Sequence, residues 1–277
     1  MDSLFVRDGT RYVPTDFARG PWAPEFLDGG AVAGIVGHVA EASRPGELRL
    51  ARFTLDLLAP VPVAPLTVEA QVVHAGRRFE IRDVMVRTED GALVSRASVL
   101  NIAHGDTPPF AMPQSESSTP PPAEVVPEFR IPTAQTCFQN AVEARMYEPP
   151  TEERAMAGWA RLRMDVVEGE PRTPTVAALA LSDRGNAMTS LSPDMSRAAI
   201  NADITALFAR EPVGDWLGLD GGLRYRGAGR GAGSMLMRDA DGVVGLLAVS
   251  LLPPRFDFGL SGELSAALQA HDGGSAS

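Results

Sequence analysis

The sequence predicts an α+β fold in two matching halves, each an antiparallel sheet curled around one buried helix. Three observations predict it. The chain repeats: Pro62-Val63 returns as Pro212-Val213 and Asp90-Gly91 as Asp241-Gly242, offsets of 150 and 151 residues, inside stretches of similar β-like character. Each repeat holds a helix that is apolar on nearly every side, the mark of a helix enclosed by other structure. After each helix come only strand-like runs, and strands joined without helices form antiparallel sheets, not parallel crossovers.

The elements follow in chain order. Leu4 to Pro14 reads as a hairpin turning at Asp8-Gly9. A loop through Gly20-Pro21-Trp22 leads to a helix over Asp28–Ser43. Asp28 is its N-cap, Gly29 and Gly30 lie in its first turn, and Pro45-Gly46 stops it. Strands are expected over Leu48–Leu58, Leu66–His74, Arg78–Arg87 and Leu93–Ala103, separated by turn signals at Pro60 to Pro65, Ala75-Gly76 and Asp90-Gly91. Residues 105–132 are rich in Pro and Ser and read as an extended linker. The second half runs over 133–258. It has a strand from Gly158 to Val167 and a helix capped by Thr173 with Pro174 at its first position. Further strands are expected over Arg197–Arg210, Leu217–Tyr225, Gly231–Arg238 and Val243–Leu252, and a polar tail over 259–277, with a short helix at Gly262–Ala270. The first half is 1–104.

Composition excludes several function classes. The 277 residues carry a formal net charge of −10, which argues against nucleic acid as the partner. All 25 basic residues are Arg, so Schiff-base chemistry by lysine is absent. No apolar run approaches the roughly 18 residues of a membrane span, and the N-terminus lacks a signal-peptide pattern; a cytoplasmic location is the expectation. The one cysteine, Cys137, reads as a small buried hydrophobe. His38, His74, His104 and His271 are too scattered to ligate a metal, so neither metal nor cofactor is expected. There is no Gly-x-Ser-x-Gly elbow, and Gly227 to Gly233 is not a dinucleotide fingerprint because no helix follows it.

Several segments, in order, resemble the double hot-dog acyl-CoA thioesterases, the bacterial thioesterase II-like family. These are Gly20-Pro-Trp-Ala-Pro with Asp28-Gly-Gly, then Gly76-Arg-Arg-Phe with Asp90-Gly-Ala-Leu-Val-Ser-Arg-Ala, then Leu181-Ser-Asp-Arg-Gly-Asn, then Asp203 to Arg210 with Pro212-Val-Gly-Asp-Trp. The resemblance implies a tandem hot-dog: two antiparallel sheets, each wrapping a central helix, joined edge to edge. It further implies hydrolysis of an acyl-CoA or other acyl thioester between the halves. A homodimer or higher oligomer is expected, since hot-dog units commonly pair further.

The candidate site residues follow from the repeat and the resemblance together. Asp203 falls where the resemblance places a catalytic aspartate, and the first half has Phe53 at the matching position. Strand alternation puts Asn201, Asp203 and Thr205 on one face, with Asp203 as general base and its neighbours positioning water. The alternative is a solvated face, with Ile200, Ala202, Ile204, Ala206 and Phe208 turned to the core. Gly30 and Ala31, at a helix N-terminus, are candidates to polarise a thioester oxygen, against a plain N-cap that lets helix and sheet pack closely. Arg77 and Arg78 are candidates for coenzyme A phosphates, or a solvated turn. Arg224, Arg226 and Arg230 form a second basic cluster. Asp183 either hydrogen-bonds at its helix end or faces the cleft. The resemblance also implies a glutamine in the last strand and a hydroxyl residue in an earlier one. This chain has Val249 at the first position and Leu223 or Arg224 at the second. Hydrolysis and non-catalytic acyl-thioester binding are therefore both open.

Overall fold

The computed structural model describes residues 2–21, 23–105, 135–148, 151–190, 199–227 and 229–252. The tail, its short helix and nearly all of the linker lie outside the described residues.

The first half opens with the expected hairpin, β1 (Ser3–Asp8) and β2 (Arg11–Pro14). Helix α1 (Gly29–Ala42) follows, buried from Gly30 to His38. Its continuous burial is why the sequence shows no polar stripe. Strands β3 (Leu48–Leu57), β4 (Leu66–Ala75), β5 (Phe79–Arg87) and β6 (Leu93–Ala103) complete this half within two residues of expectation.

The second half begins with elements the periodicity did not show, a single helical turn α2 (Phe138–Ala141) and strand β7 (Val142–Glu148). The strand expected over Gly158–Val167 is two strands, β8 (Ala157–Leu162) and β9 (Asp165–Val167). Helix α3 (Pro174–Ser182) carries the expected Thr173 cap, whose side chain accepts the Val176 N–H. Asp183 caps its other end, and α4 (Arg184–Ser190) starts at once. Then come β10 (Ile200–Asn201), β11 (Asp203–Phe208), β12 (Trp216–Gly227), β13 (Arg230–Asp239) and β14 (Gly242–Leu252).

Two sheets joined edge to edge were expected; the described strands form a single sheet. Its order is β7-β8-β12-β13-β14-β11-β3-β6-β5-β4-β2-β1-β9, with β10 on β14. The reason is the pairing of β11 with β3, from Asp203 opposite Asp56 to Leu207 opposite Arg52. Each of these strands would otherwise leave a row of unpaired backbone groups at an open edge, and antiparallel pairing satisfies both rows. Thr205 donates its hydroxyl hydrogen to Thr54 Oγ1 across this seam, at 3.3 Å.

The two long helices lie antiparallel inside the curl of the sheet, the start of α1 beside the end of α3. A Cβ on Gly34 would come within 3.1 Å of Ala180 Cβ, and one on Gly37 within 2.6 Å of Leu179 Cδ1. Small residues along α1 therefore let the helices approach closely. Around them Phe53, Leu55, Val84, Val86, Val99, Ile204, Ala206, Met237 and Leu247 point inward from the strands, all 2% exposed or less. No helix among the described residues is long and apolar enough to cross a membrane.

Candidate active site

The antiparallel helix packing brings two acids together. Asp28, the N-cap of α1, accepts the Gly30 N–H on Oδ1 at 2.9 Å, the ordinary use of an aspartate there. Asp183, at the end of α3, lays its carboxyl against the same helix start. A Cβ on Gly29 would sit 2.7 Å from Asp183 Cγ, so glycine leaves room for the carboxyl. From β10, Asn201 donates its amide hydrogen to Asp183 Oδ1 at 2.9 Å. From α2, Phe138 closes the wall: its ring would meet a Cβ on Gly30 at 2.6 Å.

The surroundings disfavour charge on both acids. Burial, then the negative charge of Asp183, pushes Asp28 up to about 7, against the Gly30 N–H and the positive Arg184. Burial also raises Asp183, opposed by the Asn201 bond, Arg184 and the Gly30 N–H. Both residues remain half-buried, so the cleft is open to solvent on one side. Burial raises the thiol of Cys137 as well, with Asp28 contributing, which leaves it protonated and inert as expected.

The structure divides the expected site residues. Asn201 joins the cluster; Asp203 and Thr205 do not. Asn201 pairs with Leu251 and Thr205 with Ala248, which is one residue out of step along the two strands. The extra residue, a bulge at Ala202, reverses the alternation. Asn201 is therefore buried with Ile204, Ala206 and Phe208, while Asp203 and Thr205 face the other way and Ile200 is exposed. The single polar face of Asn201, Asp203 and Thr205 is corrected accordingly. Asp203 Oδ1 accepts the Ser250 N–H at 2.6 Å, beside the Ala202 N–H bonded to Ser250 O at 2.9 Å, so its carboxylate supplies an acceptor where the bulge breaks the ladder.

The Gly30 N–H is directed at Asp28, and Ala31 is fully buried. Arg77 and Arg78 are exposed, at the turn between β4 and β5. That turn lies level with the start of β3, because Phe79 pairs with Ile102 and Leu48 with Ala103. Asp203, next to the cluster in sequence, pairs near the other end of β3. A ten-residue strand spans about 30 Å, so these arginines stand at the opposite end of the sheet from the acids. Val249 faces the core, paired with Gly233 and 3% exposed. No cluster of metal-ligating residues occurs among the described residues.

Asp28 and Asp183 were each visible in the sequence, one as a cap and the other as a helix end. The signal for their meeting was two apolar helices, one begun and one ended by aspartate. Buried antiparallel helices set such a start against such an end. Gln139, buried on α2, has no signal in the sequence, because a single helical turn leaves no periodicity.

Comparison with known proteins shows the family and the fold. The family model for the acyl-CoA thioesterase N-terminal domain matches residues 18–102, and that for the acyl-CoA thioesterase C-terminal domain matches residues 108–249. No curated protein matches the chain. Among solved structures, a candidate thioesterase from Novosphingobium aromaticivorans aligns with a TM-score of 0.66 at 21% identity, over 92% of this chain and 100% of its own. A protein of unknown function with a hot-dog fold from Alicyclobacillus acidocaldarius gives 0.66 at 19% identity, over 90% and 94%. An acyl-CoA thioesterase II from Mycobacterium marinum gives 0.61 at 18%, over 90% and 94%. At these identities the likeness shows the fold, a hot-dog fold.

Proposed function

Since the chain belongs to the acyl-CoA thioesterase family, we propose that it hydrolyses an acyl-CoA thioester in the cleft formed by Asp28, Asp183 and Asn201. On this reading the molecule is two hot-dog units whose sheets have fused, with the cleft where the helix start of one unit meets the helix end of the other. Asp183 acts as general base on the attacking water. Asn201 holds one carboxyl oxygen of Asp183 and leaves the other to accept the proton. The start of α1 favours negative charge developing on the thioester oxygen. The observation that carries the proposal is the Asn201-bonded carboxyl of Asp183 set against the glycine start of α1.

One experiment compares Asp183 with Asp203. Asp183→Asn should lower kcat on a panel of acyl-CoA esters by about 100-fold or more, the scale of a general base. Asp203→Asn, whose amide oxygen can still accept the Ser250 N–H, should keep kcat within about threefold and leave Tm nearly unchanged. The reverse pattern would return the role of base to Asp203. A second reading, acyl-thioester binding without turnover, is favoured by Val249, an apolar residue where the family resemblance implies glutamine. It predicts no hydrolysis of any ester and a Tm raised by acyl-CoA.

A further inference from the structure

We infer that Asp28 is a second catalytic residue, the general acid that protonates the departing thiol. The inference rests on the hydrolase reading and goes beyond it. Hydrolysis of a thioester needs a proton removed from water and a proton supplied to sulfur. One base meets only the first need.

Asp28 is placed for the second. It and Asp183 converge on the same turn of α1, Asp28 through the Gly30 N–H and Asp183 by contact with Gly29. Each carboxyl has a hydrogen-bonded Oδ1. In each, the bond given to Oδ1 leaves Oδ2 to carry or accept a proton. Burial disfavours charge on both carboxyls, and the negative charge of Asp183 raises Asp28 further. With Asp183 bonded to Asn201 as the base of the proposed reaction, Asp28 is the neighbouring carboxyl that supplies the acid. Among the described residues, the charged or titratable groups acting on the pair are the cationic Arg184 on α4 and the neutral Cys137 beside α2.

The duplication supplies an internal control. At the other end of the helix pair, α3 is capped by Thr173, whose hydroxyl hydrogen goes to Glu41. There the cap is a hydroxyl facing one acid, Glu41, which also lies 3.5 Å from Arg44, in place of an acid facing an acid. The acid pair is thus a feature of one end and not of the fold.

The step balances. Water oxygen bonds to the carbonyl carbon and Asp183 takes the water proton. The C–S bond breaks, its electron pair going to sulfur, and the Asp28 carboxyl delivers its proton there. The proton on Asp183 then returns to Asp28. Thioester and water have become carboxylic acid and thiol.

The test varies the leaving group. Asp28→Asn keeps a good N-cap, and Asp28→Ser is a second variant should the first fold poorly. On an acyl-CoA ester, whose alkyl thiolate leaves badly without a proton, Asp28→Asn should lose about 100-fold in kcat. On the nitrothiophenyl ester of the same acid, whose thiolate leaves unaided, it should stay within about threefold of wild type. Asp183→Asn should lose both rates alike. The alkaline fall of wild-type kcat on acyl-CoA should disappear in Asp28→Asn. Equal loss on both esters, or no loss on either, overturns the acid role while leaving Asp183 as base. If wild type cleaves neither ester, the hydrolase reading falls and this inference with it.

Discussion

At one end of the α1–α3 pair two acids meet, with Arg184 the one basic residue acting on them among the described residues; at the other end the acids are matched with arginines. Glu41 lies 3.5 Å from Arg44, and Glu80 is bonded to Arg82, with Arg82 Nη2 to Glu80 Oε2 at 3.2 Å. That second end closes over a cavity of about 10 Å³ lined by Gly37, Glu41, Arg44, Asn101, Thr175 and Leu179, far below the range usual for ligand sites. The two ends share a helix start, a helix end and a curled sheet. They differ in how charge is spent. At one end acids neutralise arginines; at the other, burial raises both acids and the charge of Asp183 raises Asp28 further, which on the proposed reading suits proton transfer.

Three changes would break or sharpen this contrast. The largest effect is expected at the paired end. Arg82→Met would leave Glu80, which is 4% exposed, without its partner. Removing one member of a buried pair costs about 3–5 kcal/mol. The loss should appear in the urea midpoint, with kcat per folded molecule unchanged; a fall in kcat would tie the two ends together.

Next comes a paired glycine comparison. A methyl group on Gly30 would meet the backbone oxygen of Ala180 at 2.5 Å, which cannot move aside, whereas one on Gly37 meets the end of the Leu179 side chain, which can rotate. Gly30→Ala should cost about 1–3 kcal/mol by overpacking and lower activity, and Gly37→Ala should cost under about 1 kcal/mol and spare it. Equal costs would show that the helices part as readily at one end as at the other.

The smallest effect is in pH dependence. Both acids of the pair are raised in the folded state, Asp28 to about 7. Below about pH 4 folded and unfolded chains both carry the protons, and the pair costs nothing. As pH rises toward 7 the unfolded carboxyls ionise first, so stability falls, and it levels off above that. Asp183→Asn removes one of the repelling acids. Its urea midpoint relative to wild type should therefore rise between pH 5 and pH 8. A difference independent of pH would remove the charge argument.

Much of the fold was legible because it rests on local rules. Asp28 and Thr173 cap helices, Pro45-Gly46 stops one, and β-like runs between turn signals marked β3 to β6. Other parts were not. Splitting one expected sheet pair into one continuous sheet or two depends on whether β11 meets β3, and nothing in either strand alone records that. The candidate site was half legible. Asn201 was chosen for a face it shares with Asp203 only if the strand is regular. One extra residue at Ala202 turned the two to opposite sides, and a strand's side chains repeat every two residues, so a slip of one reverses them all.

The sequence by itself determined the duplicated plan, the two apolar helices and the chemical types at their ends, because capping, burial and alternation act over a few residues. Only the tertiary structure decided that Asp28 and Asp183 share one helix start, that Asn201 joins them and that Asp203 secures a bulge instead. Those outcomes depend on close packing between segments some 150 residues apart, where the absence of a Cβ at Gly29 is what lets the two carboxyls meet.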